Sequence, residues 1–184
     1  MTSLTQPLWE QRINRAVSWS LRHWLVFANG LVLIYGGLPW LSPLAHIAGL
    51  HWLGDLIFRV YAAFCHQIPE RSFFLNGYQV AFCHRETAMY TLLLLGGLLF
   101  PLLRERLRPL SLRVGALLLL PMLIDGGTHL INDLFRLGLR HENDLWTPNF
   151  WLRMLTGLLF ALAVLLAVYP RLDRDLRRMG LNNA

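Results

Sequence analysis

Four stretches of this chain are long, apolar and almost free of charge: residues 24–45, 87–103, 114–132 and 151–169. Nothing else constrains the fold as strongly. The first has twenty-two residues, and at about 1.5 Å per residue such a helix rises about 33 Å, close to the hydrocarbon core of about 30 Å. In lipid every backbone N–H and C=O must be satisfied within the chain, so helices or a closed barrel are the only spanning structures. The second run, at seventeen residues, is short and draws on residues 82–86 at its start. The sequence predicts an all-α fold: an integral membrane helical bundle of four transmembrane helices plus interfacial amphipathic helices, in one domain over residues 1–184.

Composition supports this. Hydrophobic residues make up 55% of the chain and charged residues 15%, against about 25% charged in a soluble domain. A disordered chain, a disulfide-rich miniprotein and most soluble enzymes are thereby disfavoured. All 17 basic residues are arginine, and the net charge is +6. Such a balance can mark nucleic-acid binding. Here the arginines flank the apolar runs, where they set membrane topology, so no nucleic-acid partner is expected. Eleven arginines lie in the N-terminal segment, the 104–113 loop and the tail; five lie on the opposite side. The positive-inside rule then predicts both termini in the cytoplasm. Cys65, Cys83 and every histidine except His23 fall at or near the extracytoplasmic face.

The segments between the runs divide as follows. Residues 1–23 read as an amphipathic helix in the membrane interface, with Trp9, Ile13 and Val17 at helical spacing against Arg12, Arg15 and Arg22. Pro39 and Pro43 predict an irregular end to the first span. Residues 46–86 read as interfacial or re-entrant, with Asp55 and Arg59 spaced for a side-chain ion pair. Asn76-Gly77 is a turn signal. Residues 170–184 form a basic tail.

Two Cys-His pairs, Cys65-His66 and Cys83-His84, flank that turn. The pattern admits three readings: a disulfide between Cys65 and Cys83, metal-binding or redox thiols, or two buried thiols behaving as small hydrophobes. Candidate metal ligands are Cys65, His66, Cys83, Glu86 and His129; the sequence specifies no cofactor, and zinc or another transition metal suits these donors. Asp125 and His129 share a face of the third span. A charged side chain at mid-bilayer costs about 2.5 to 3.5 kcal/mol on insertion scales, so Asp125 requires a partner, and Arg153 or Arg85 lies in the same membrane half. With His66, Gln67, Glu70 and Arg71, these residues (Arg85, Asp125, Arg153) define a candidate polar pocket.

Cys65-His66-Gln67-Ile68-Pro69-Glu70-Arg71-Ser72-Phe73 and Cys83-x-Arg85-x-Thr87-x-x-Tyr90 resemble two signatures of a prokaryotic family of small multi-pass membrane proteins, classified only as a domain of unknown function. Asp125-Gly126-x-Thr128 resembles its third signature and Arg153-x-x-Thr156-Gly157 its fourth. The resemblance spans roughly residues 60–165. It implies architecture and marks positions without naming a reaction. Glu86 stands where relatives often carry a further Cys, Ala88 where they tend to have Gly, and His129 where they tend to have Gln. These departures replace an all-thiolate donor set by a mixed Cys/His/carboxylate one.

No phosphate-binding glycine loop, nucleophile elbow or H-E-x-x-H pair is present. The sequence therefore assigns no enzymatic activity. It points to a membrane protein with a polar Cys/His/Asp/Arg pocket near the extracytoplasmic face, binding a metal, a redox partner or a small polar ligand. The alternative is a non-catalytic structural or accessory subunit of a larger membrane complex. A transporter would need to oligomerise. The expected partners are the lipid bilayer and either other membrane subunits or further copies of the chain.

Overall fold

The computed structural model describes residues 7–138 and 145–180. Sequence readings that fall on residues 1–6, 139–144 and 181–184, Arg140 among them, lie outside these. Among the described residues, four helices are long and apolar enough to cross a membrane: Trp24–Ile47, His84–Leu103, Leu112–Asn132 and Pro148–Arg178. The chain is an all-α integral membrane bundle with one small hairpin.

An amphipathic helix, α1 (Leu8–Arg22), precedes α2 (Trp24–Ile47). The irregular end expected for the first span is absent, and α2 stays helical through Pro39 and Pro43. Proline removes an N–H and releases the carbonyl four residues earlier. For Pro39 that carbonyl belongs to Tyr35, and the Tyr61 hydroxyl donates to it at 2.7 Å. Helix α3 (His51–Tyr61) doubles back on α2. Gly54 permits the close approach: a Cβ there would lie 2.9 Å from the Ser42 carbonyl oxygen. The Ser42 hydroxyl donates to the Gly54 carbonyl at 3.0 Å. This fold-back brings His46 to Asp55 at 3.4 Å. Arg59 donates to the Asp55 backbone carbonyl instead, which corrects the expected Asp55–Arg59 side-chain pair.

The 46–86 segment holds an element that the sequence reading did not name. After a 3-10 turn, Pro69–Arg71, strands β1 (Ser72–Leu75) and β2 (Tyr78–Cys83) form an antiparallel hairpin around Asn76-Gly77. Both turn residues have positive φ, +50° and +83°, the conformation favoured by two-residue hairpin turns. Val80, Ala81 and Phe82 are completely buried. The second half of β2 is therefore covered on both faces, and its side chains do not alternate between core and exterior as in a half-exposed strand.

Helices α4 (His84–Leu103), α5 (Leu112–Phe135) and α6 (Pro148–Ala163) complete the bundle. The last continues through a π-turn, Val164–Val168, into α7 (Tyr169–Arg178), so much of the expected tail is an extension of the fourth helix. Pro170 accounts for the irregularity. It releases the Leu166 carbonyl, which accepts from the Leu110 amide at 2.9 Å. Ion pairs Arg104–Asp173 (3.3 Å) and Arg177–Glu105 (2.7 Å) tie α7 to the end of α4.

The main helix contacts order the bundle α2–α4–α6–α5. Trp24, Phe100 and Tyr169 close one end with edge-on ring contacts of 5.2 to 6.0 Å. Helix α3, the hairpin and all four sequence signatures gather at the other end. There α4 and α6 touch backbone to backbone: a Cβ on Gly157 would collide with the Arg85 carbonyl oxygen. Gly157→Ala is expected to force the helices apart and to lower stability by about 1 to 3 kcal/mol, read as a reduced melting temperature in detergent. An unchanged melting temperature would contradict this close crossing.

Candidate functional site

A cavity of about 350 Å³ opens at the motif end. Residues 64–68 and Arg71 form one wall, the start of α4 a second and the last turns of α5 a third, with Arg153 reaching in from α6. The loop that carries Cys65 is fixed to the hairpin by a chain of hydrogen bonds. Gln67 has φ +49° and donates through its side chain to the Phe58 carbonyl at 2.7 Å. Gln79 of β2 donates to the Gln67 carbonyl at 2.8 Å and to the Ser72 hydroxyl at 3.0 Å. Ser72 in turn donates to the Ile68 carbonyl at 3.1 Å.

The hairpin delivers Cys83 to the N-terminus of α4, where it is the capping residue. The Cys83 sulfur accepts from the third-position backbone N–H, and the Glu86 carboxylate accepts from the Cys83 N–H at 3.2 Å. This is a reciprocal cap with sulfur in place of a hydroxyl. The thiols of Cys65 and Cys83 are unbonded, so the disulfide reading does not describe this structure. One donor atom from each of Cys65, Cys83 and Glu86 lies within 4.8 Å of the others. The Cys65 thiol is pushed far up, by its hydrogen bond to Cys83, by burial and by Glu86. Cys83 is held below the ordinary thiol value, first by the hydrogen bond from Cys65, with help from the N–H groups of Glu86 and Arg85. Burial and Glu86 oppose this. The first thiolate therefore forms on Cys83, at the positive end of α4.

A second polar set crosses the bundle. The Arg85 guanidinium bonds the Asp125 carboxylate at 2.5 Å. His129, one turn on, approaches the other carboxylate oxygen at 3.8 Å. The Arg153 Nη2 lies 3.0 Å from His129 Nε2. Asp125, His129 and Arg153 are 3, 5 and 2% exposed, and the partly exposed Arg85 joins His129 and Arg153 in the cavity lining. Of the two arginines considered for Asp125, Arg85 bonds its carboxylate directly, and Arg153 lies beside His129 one turn further along α5. Gly126 provides the space: a Cβ there would lie 3.3 Å from Arg85 Nη1.

The candidate residues are thus distributed unevenly. Cys65, His66, Gln67, Arg71, Cys83, Arg85, Glu86, His129 and Arg153 line the cavity. Asp125 stands behind Arg85, outside the lining. Glu70 is exposed and also outside it. Among the described residues, His66 and His129 are not part of the close donor cluster. His84, despite its place in a Cys-His pair, is wholly buried between Phe73 and Phe150, with ring centroids at 4.5 and 4.9 Å. The sequence reading missed the apolar half of the cavity, Phe64, Ile68, Met89, Met122 and Leu130. Phe64, Met89, Met122 and Leu130 belong to apolar stretches in which nothing distinguishes a cavity wall from a lipid-facing or core position, and Ile68 sits in the first signature as its one large apolar residue between Cys65 and Ser72.

The fold and site define a class: a four-span helical membrane protein with a thiol- and arginine-lined cavity at one end of its bundle. Within that class, the chain belongs to the family described as Predicted membrane protein (DUF2085), which it matches over residues 65–167. That match takes in every cavity residue except Phe64. The chain is also 32% identical over 117 residues, covering 62% of its own length and 67% of the relative's, to Uncharacterized protein MJ1492 of Methanocaldococcus jannaschii. No solved structure matches it.

Removing one partner of a buried ion pair leaves an uncompensated charge and costs about 3 to 5 kcal/mol. Asp125→Ala is therefore expected to lower the melting temperature of the detergent-purified protein sharply. Asp125→Asn, which keeps hydrogen-bonding capacity for Arg85 and His129, should be milder. Equal, small effects of the two variants would contradict the pairing.

Proposed function

We propose that the protein is a metal-binding membrane protein that holds a transition metal ion, zinc in the first instance, at Cys65, Cys83 and Glu86, beside a cavity that receives a ligand. The observation that carries this reading is the convergence of two thiols and a carboxylate within 4.8 Å. Three protein donors leave a fourth position of a tetrahedral ion for water or ligand, the pattern of zinc sites that act on a bound molecule rather than merely stabilise a fold. The cap at α4 supports preorganisation, since Cys83 and Glu86 are held by the helix terminus itself. A cation would also relieve the pressure that keeps Cys65 protonated. The arginine asymmetry supports placing both termini in the cytoplasm and this site on the opposite side of a prokaryotic inner membrane.

The Cys65–Cys83 hydrogen bond favours a second reading, a dithiol that cycles with a disulfide. Metal content separates the two. Protein purified without chelators and measured by mass spectrometry of its metals is expected to carry near one ion per chain, lost in Cys65→Ser and in Cys83→Ser. Wild-type protein at background metal would contradict the metal site, and reversible formation of a Cys65–Cys83 disulfide in that protein would favour the redox pair.

A further inference from the structure

The cavity has two chemically different halves, and neither the metal proposal nor the family accounts for that division. One half is cationic. Arg71 comes from the 3-10 turn, Arg85 from α4 and Arg153 from α6. Among the described lining residues these three arginines face one carboxylate, Glu86. Arg85 also bonds Asp125, and Arg153 lies 3.0 Å from His129 Nε2. Three separate elements thus direct guanidinium groups at one space of about 350 Å³. Guanidinium forks match the oxygens of carboxylates and phosphates, and they hold such groups most strongly where water is scarce.

The other half is apolar and leads outward. Met89 and Met122 line its interior, and Phe64 and Leu130 form its edge, where they are 61% and 68% exposed. On α5, Leu130 belongs to the same exposed apolar face as Leu123 and Leu134, at 70% and 69%. On a spanning helix an exposed leucine face is the face turned to lipid. The cavity therefore runs from the arginines to the hydrocarbon surface of the bundle. A small hydrophilic anion would gain nothing from that apolar half, whereas an amphiphile would fill both.

We infer that the cavity binds the anionic head of a membrane amphiphile, a phosphate or carboxylate on an apolar chain. The head sits among Arg71, Arg85 and Arg153, and the chain leaves past Met122 and Leu130 into lipid. The volume suits a headgroup and the first methylenes, with the remainder of the chain in the bilayer. This inference rests on the cavity and not on the proposed ion.

The test uses the full chain in neutral detergent, both as purified and after chelation, with added phosphatidylglycerol, phosphatidylcholine or inorganic phosphate at matched concentrations. Native mass spectrometry and thermal shift report binding. Phosphatidylglycerol should bind and stabilise in both preparations, and phosphatidylcholine should do neither. Arg71→Gln, on the half-buried turn outside the helices, should weaken phosphatidylglycerol binding by about tenfold or more, equivalent to about 1.4 kcal/mol. Leu130→Glu should weaken it comparably by placing a carboxylate in the chain's exit. Equal binding of the two lipids, or undiminished phosphatidylglycerol binding in both variants, would overturn the inference. So would equal stabilisation by inorganic phosphate, which would make the ligand a free anion. Binding that disappears only on chelation would overturn its independence from the ion. Absence of metal with lipid binding intact would count against the metal site alone.

Discussion

The motif end of this bundle depends on one buried ion pair, Arg85 with Asp125. In the order α2–α4–α6–α5, helices α4 and α5 are separated by α6 over most of their length. Arg85 crosses the remaining gap at the motif end and takes the Asp125 carboxylate. From there the contacts run through His129 to Arg153 and so back to α6. Such a pair adds little net stability over a well-packed apolar equivalent, yet breaking it on one side is severe. Its effect is therefore geometric: α5 is held at a distance that leaves a cavity, with the guanidinium groups fixed along one wall.

The thiol side of the cavity is organised by backbone rather than by charge. The hairpin turns at Asn76-Gly77, runs back through Val80-Ala81-Phe82 and ends at Cys83, which caps α4. Gln67 and Gln79 fasten the Cys65 loop to the same hairpin. Cys65 and Cys83, eighteen positions apart in sequence, meet because both are attached to one rigid unit. Gly157 then lets α6 approach the first turn of α4, which brings Arg153 within reach of His129. Capping, turn and close-approach residues thus combine to place donors on opposite sides of one space.

Much of the architecture is legible in the sequence because the bilayer imposes a length. Apolar runs of seventeen to twenty-two residues, with at most one charge each, have few alternatives to spanning helices. The need of Asp125 for a partner is equally legible, since lipid offers none. That Arg85 supplies a direct contact is not, because it depends on side-chain reach across a gap set by α6. The hairpin escapes a reading by periodicity because Val80, Ala81 and Phe82 are buried on both faces and give no alternation. A proline's effect on a helix depends on what satisfies the carbonyl it releases. Pro39 leaves α2 unbroken because Tyr61 satisfies the released carbonyl, whereas Pro170 coincides with a π-turn inside a helix that continues. Glu70 and Arg71 are adjacent in the signature, but the 3-10 turn separates them, and only Arg71 enters the cavity.

The most direct test of this account is a double-mutant cycle on the central pair. Arg85→Met, Asp125→Leu and the double variant would be compared with the wild-type chain by reversible denaturation in mixed micelles. Each single variant strands a buried charge, and the double variant strands neither. The predicted result is a double variant less destabilised than the sum of the singles, with a coupling of about 2 to 3 kcal/mol. Single effects that add to within about 0.5 kcal/mol would contradict the claim that Arg85 and Asp125 hold the cavity end of the bundle together.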